Sequence, residues 1–162
     1  MRQIVCNASP LITLAKAGLL NALPDQFQRI LCPQAVINEI LAGPPEDVMR
    51  GMLPGLSWLE IVQLDPPLSP LVVWRLGRGE SEVIEYARLN PGTAALLDDR
   101  AARKGAAALG MPVYGTVSII AKWVSLDPSR SFDDTISLLY RAGLYLDERT
   151  IEAVRNRLGA PI

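Results

Sequence analysis

The reactive groups available to this chain are set first by an absence: its 162 residues contain no histidine. That excludes a histidine general base, Ser-His-Asp or Cys-His catalysis, and histidine-ligated zinc or haem. What remains is acidic and amide oxygen. Asp98 and Asp99 end the apolar run Ala94 to Leu97, and Asn7 ends the run Ile4-Val5-Cys6. Glu39 and Glu80 each lie at or beside the apolar stripe of an expected helix. If Glu39, Glu80, Asp98 and Asp99 converge, their like charges raise one another's pKa and call for a cation. An all-oxygen set suits Mg²⁺ or Mn²⁺. Such an ion activates water and stabilises charge on a phosphate during hydrolysis.

Each of these residues also has an ordinary structural reading. Asn and Asp are common turn and N-cap residues after strands. Glu80 follows Gly79 and shares a helix face with Val83, Ile84 and Ala87, so it is either an inward carboxylate or a first-turn acid complementing the helix dipole. Glu82 and Glu85 point elsewhere and read as solvated. Glu39 flanks the stripe of Val36, Ile37, Ile40 and Leu41, and periodicity alone favours a solvated side chain. Arg100, Arg103 and Lys104 follow the Asp pair directly, either as a solvated face or as a grip on a phosphate backbone. No aromatic-rich strand signals base stacking.

The elements that must position these groups alternate short apolar runs with helical patterns. Strands are expected at Ile4–Cys6, Arg29–Cys32, Trp58–Leu64, Ala94–Leu97 and Pro112–Tyr114, the third being the least regular and a candidate edge. Helices are expected from a Ser9 N-cap with Pro10 in the first turn, from Pro33 to Leu41, over Glu46–Met52, from Glu80 to Asn90, from Arg100 to Leu109 and from Thr116 to Val124. Ser131 and Asp147 read as caps for two last helices, ending near Arg141 and Leu158. Pro66, Pro67 and Pro70 mark a connecting loop. Alternation of this kind implies right-handed βαβ units and a parallel sheet covered on both faces. Ligands then bind outside the carboxyl ends of the strands, the edge that carries Asn7 and the Asp pair.

Composition narrows the class. Lys plus Arg number 16 and Asp plus Glu 17, a net charge of -1, which excludes a globally basic nucleic-acid binder but not a local basic patch. Hydrophobic residues make up 49% and charged residues 20%, and the apolar surplus suits a subunit interface, so a homodimer is expected. Cys6 and Cys32 form no CxxC pattern and read as small buried hydrophobes in a reducing cytosol. Asn7, Ser9 and Pro10 interrupt the apolar start, so no signal peptide is expected. No run reaches the ~18 apolar residues of a membrane span, so the expected location is cytoplasmic. Gly77-Arg78-Gly79 lacks the third glycine of a dinucleotide loop.

Four stretches together resemble a PIN-like domain: IVCNASPLITLAKAGLL, CPQAVINEILAG, RGESEVIEYA and ALLDDRAARKGAAALGMPVYGT. More narrowly they are similar to the VapC-like toxin ribonucleases, in a subfamily with an Asn-x-Ser-Pro-Leu start and a Leu-Asp-Asp-Arg motif. The resemblance covers residues 3 to about 125 of one domain, with residues 131–158 as a C-terminal helical extension. It implies a three-layer α/β/α sandwich around a parallel sheet. It also implies a Mg²⁺- or Mn²⁺-dependent endoribonuclease acting on RNA, the toxin of a pair neutralised by a small antitoxin protein.

Carried over residue by residue, the resemblance places the metal-binding and catalytic positions on Asn7, Glu39, Glu80 and Asp98 or Asp99. Ser9 and Thr116 stand as supporting hydroxyls, and Arg100, Arg103 and Lys104 as candidates for RNA phosphate. The sequence departs from the family pattern at Asn7, where most active members have Asp. A PIN-like module that binds RNA or protein without cleaving it is therefore the competing reading.

Overall fold

Continuous apolar runs with helical stretches between them can bury both faces only in a covered parallel sheet, and the computed structural model has that architecture. It describes residues 2–65 and 76–158. Five parallel strands run β1 Gln3–Cys6, β2 Arg29–Pro33, β3 Leu59–Val62, β4 Thr93–Leu96 and β5 Val113–Tyr114. Their spatial order is β3-β2-β1-β4-β5. The chain therefore leaves β1 toward one side and returns to its other side with β4. The junction of β1 and β4 is the topological switch point, where open α/β sheets form their ligand crevice.

The helices are α1 Ala8–Lys16, α2 Gln34–Ala42, α3 Val48–Met52, α4 Arg78–Leu89, α5 Arg100–Ala108, α6 Thr116–Ser125, α7 Phe132–Arg141 and α8 Glu148–Leu158. α1 packs on α2, α3 and α6, while α4 packs on α5 and lies across β1, β2 and β4. This is the expected three-layer sandwich. Ile4, Val5, Leu31, Ala95 and Leu96 are fully or almost fully buried between the layers, with Leu11, Leu14, Ile84 and Ile120 supplied by the helices. At about 25 cal/mol per Å² of apolar surface removed from water, these side chains carry most of the driving force for folding. α7 and α8 both pack on α6. Among the described residues no helix is long and apolar enough to cross a membrane.

Several boundaries differ from the expectations. Asn7, not Ser9, is the N-cap of α1, because β1 passes straight into the helix at an extended residue (φ -85°, ψ 166°). Pro10 then sits in the first turn, where its missing N–H would have no partner in any case. The second strand runs on through Pro33, so its helix opens at Gln34. Trp58–Leu64 contributes the shorter Leu59–Val62, at the sheet edge. Glu82 and Glu85 are buried rather than solvated. Helical periodicity did not register that α4 is covered by α2 as well as by the sheet. The loop expected at Pro66, Pro67 and Pro70 lies outside the described residues.

Candidate active site

The site is built from the carboxyl ends of adjacent strands. Cys6 pairs with Leu96 in register, and the Asn7 N–H donates to the Leu96 carbonyl at 3.1 Å. Asn7 and the Leu97-Asp98 step therefore leave the switch point side by side. Asn7 is buried, and its Oδ1 has no hydrogen-bond partner among the described residues. A buried carbonyl oxygen left unpaired costs about 1–3 kcal/mol. It is a donor atom awaiting a cation, a water or an N–H.

Asp98 is held from the start of α6, just beyond the neighbouring strand β5. Its Oδ1 accepts the Thr116 N–H at 2.8 Å and its Oδ2 accepts the Thr116 hydroxyl at 2.6 Å. Thr116 is fully buried and opens α6, so Asp98 caps that helix from across the sheet. Asp99 does different work. It is exposed, and its Oδ1 accepts the Ala102 N–H at 2.8 Å as the N-cap of α5. The strand end thus aims Asp98 at the switch-point edge and uses Asp99 as an ordinary cap.

Glu39 and Glu80 meet at the first turn of α4. The Glu39 Oε1 accepts the Gly79 N–H at 2.9 Å, and the Glu80 Oε2 accepts the Gly77 N–H at 2.9 Å. Gly77 has no side chain to return a bond, so Glu80 folds back as half of a capping box. The next turn reverses the arrangement. Glu82 of α4 reaches the Ala35 N–H at the start of α2 at 3.4 Å, and Arg78 holds its other oxygen at 3.2 Å. Each helix thereby places a carboxylate on the N-terminus of the other, which locks α2 to α4 and complements both dipoles.

The thiols lie below this edge. The register of β1 on β2 carries on to set Cys6 beside Cys32. Burial pushes the Cys6 thiol well above its ordinary range, and the neighbouring Cys32 adds to the rise. Cys32 is pushed up to about 12, first by burial and then by the charge of Glu39. Glu39 is thereby placed near the strand ends although its carboxylate reaches toward α4.

The sequence-predicted residues thus share one sheet edge but form separate groups: Asp98 with Thr116, Glu39 and Glu80 on the first turn of α4, and Asn7 at the end of β1 beside the end of β4. Among the described residues no three acidic or thiol side chains stand close enough together to hold a metal ion. The donor chemistry nevertheless fits a hard divalent cation, since these groups are all oxygen and Asn7 Oδ1 is unpaired. Ser9 is exposed on the first turn of α1, two residues beyond Asn7. Arg100, Arg103 and Lys104 are exposed along one face of α5, while Ala102 and Ala106 of that helix are buried. Arg103 approaches Asp98: a Cβ placed on Gly115 would touch both Asp98 Oδ1 and Arg103 Nη1 at 3.4 Å.

The family model DUF3368, a PIN domain, matches residues 3–160. The chain belongs to this PIN-domain family, whose members are in general nucleases that use divalent metal ions and bind RNA. No curated protein matches at a significant level. Among solved structures, the chain is similar to a PilT N-terminus domain protein, SSO1118, from the hyperthermophilic archaeon Sulfolobus solfataricus P2. Identity is 16% over 75% of this chain and 92% of that one, with a TM-score of 0.51, a likeness of fold.

Proposed function

We propose that this chain is a Mg²⁺- or Mn²⁺-dependent endoribonuclease and the toxin of a toxin–antitoxin pair. The observation that supports the reading is that β1 and β4 end in register at the switch point, one leading into Asn7 and the other into Leu97-Asp98, with Asn7 Oδ1 buried and unpartnered among the described residues. Asn7 and Asp98 would hold the cation, with Glu39 and Glu80 completing the oxygen set once their helix-capping bonds exchange. A divalent cation bound there supplies acidity to water and neutralises charge on a phosphate.

The chain's own groups do the rest. Thr116 fixes both oxygens of Asp98, so the carboxylate is oriented before substrate arrives. Arg103, beside Asp98, meets the negative charge that develops on a phosphodiester under attack. Arg100 and Lys104 extend the same helix face toward neighbouring phosphates. A homodimer in the cytoplasm, restrained by a small antitoxin, is the proposed setting.

The competing reading is an RNA- or protein-binding PIN module without chemistry. It is favoured by Asn7 in place of a carboxylate and by the separation of the acidic groups. Incubation of purified protein with a mixed RNA pool distinguishes the two. Cleavage in Mn²⁺ or Mg²⁺ that stops in EDTA supports the nuclease; intact RNA in every condition supports the binding module.

A further inference from the structure

The chain pairs its cations unevenly. Arg29 binds Glu60 at 2.6 Å, Arg88 binds Glu85 at 2.7 Å, Arg130 binds Asp25 at 3.3 Å, and Arg155 binds Asp133. Arg100, Arg103, Lys104 and Arg149 form no such pair among the described residues, and all four line one groove of about 740 Å³ between α5 and α8. The groove's one acidic lining residue, Asp147, accepts the Thr150 N–H at 2.7 Å as the cap of α8; that bond holds its carboxyl below the usual range, with a smaller contribution from the nearby charge of Arg149. Four cations facing a single carboxylate repel one another. Such a surface is stabilised by a polyanion.

A second cavity, of about 280 Å³, opens from the first. It shares Arg103, Thr150 and Ala153 with the groove and reaches Asp98 and Thr116. Tyr145 lines it and is 90% exposed. The exposure has a local cause. Residues 142–147 link α7 to α8 with alternating burial, and Leu144 and Leu146 pack inward on the core. The Tyr140 hydroxyl donates to the Leu146 carbonyl at 3.2 Å and pins the segment. Tyr145, between two anchored leucines, is held outward with its ring open to solvent.

We infer that the C-terminal helices supply the second wall of a single-strand RNA groove, with Arg149 gripping a phosphate and Tyr145 stacking a base beside Asp98. The inference rests on the nuclease reading for the identity of the strand, but the grip itself needs no metal. Cations tracking a backbone together with an aromatic face on which a base stacks is the general chemistry of sequence-tolerant single-strand binding. Neither residue belongs to the motifs that carry the family resemblance.

The test is fluorescence polarisation of a short fluorescein-labelled RNA of mixed sequence, in EDTA so that metal-dependent cleavage is silent. Arg149→Glu is expected to weaken binding about tenfold or more and to flatten the dependence of log affinity on log salt by about one unit or more. Tyr145→Ala is expected to weaken it about tenfold, with Tyr145→Phe unchanged, because the ring stacks and the hydroxyl does not. Arg2→Glu, exposed ahead of β1 at the opposite sheet edge, makes the same charge change as a control. All three positions are exposed, and thermal melts establish that each variant folds. Binding by Arg149→Glu and Tyr145→Ala equal to wild type overturns the inference. So does an equal loss in Arg2→Glu, or no binding by the wild type. Binding that follows the expected pattern without cleavage in Mn²⁺ leaves the groove standing and removes the nuclease. Cleavage with unaltered binding in the variants does the reverse.

Discussion

The Glu39 carboxylate lies directly on the Gly79 backbone: the N–H donates at 2.9 Å, and a Cβ at Gly79 would stand 2.6 Å from Oε2, so the end of the Glu39 side chain would have to swing away. A Gly→Ala change inside a helix ordinarily stabilises by about 1 kcal/mol. Here that gain should be offset by the hydrogen bond lost when the Glu39 carboxylate is displaced, so Gly79→Ala is expected to be neutral or to destabilise by at most about 1 kcal/mol. In a Glu39→Ala background the same change should become stabilising, a coupling that a double-mutant cycle in urea measures directly. Additive effects would mean that Glu39 does not occupy the first turn of α4.

Asp98 and Asp99 should separate cleanly. Asp98→Ala strands the buried Thr116 hydroxyl and N–H and should cost about 2 kcal/mol or more, whereas Asp98→Asn keeps an acceptor and costs less. Asp99→Ala loses an N-cap and should cost about 1 kcal/mol. RNA cleavage should vanish in Asp98→Asn and stay within a few-fold of wild type in Asp99→Asn. A cleavage defect confined to Asp99 would reassign the role.

Asn7→Asp places a carboxylate in a buried position beside Asp98, so without metal the melting temperature should fall. Mn²⁺ should restore it, with a larger metal-dependent shift than in the wild type and about tenfold tighter binding by calorimetry. A variant as stable as wild type in EDTA, with no gain from Mn²⁺, would mean that Asn7 does not face a cation site.

The paired thiols give a pH prediction. An unfolded cysteine ionises near pH 8.5, whereas folded Cys32 holds its proton to about 12. Between those values the native state binds more protons than the unfolded state, so stability falls as pH rises. For Cys32 the loss at pH 10 should be on the order of 2 kcal/mol relative to neutral pH. Urea midpoints at the two pH values, compared with a Cys32→Ala variant, isolate this contribution. Equal pH slopes in both proteins would contradict it.

The strands and their order of polar endings were legible because apolar runs stopped by Asn7 and Asp98 read the same in any covered parallel sheet. The helix after Ser131 was legible from its cap, that from Thr116 from its apolar run, and that from Arg100 from the Gly110 that ends it. The burial of Glu82 and Glu85 was not, because it depends on α2 closing over α4, a contact between segments far apart in sequence. The choice between Asp98 and Asp99 needed the position of Thr116 at the start of α6, just beyond the neighbouring strand β5. Tyr145 left one readable trace, its place between Leu144 and Leu146, but two residues are too few to establish an alternation. Arg149 became visible as a groove residue only once α8 stood opposite α5.

The most direct measurement is the initial rate of cleavage of a labelled RNA by wild type and Asp98→Asn, each in Mn²⁺ and in EDTA. The account predicts cleavage by the wild type in Mn²⁺ alone and none by Asp98→Asn in either condition. Equal cleavage by the two proteins, or cleavage that persists in EDTA, would contradict it.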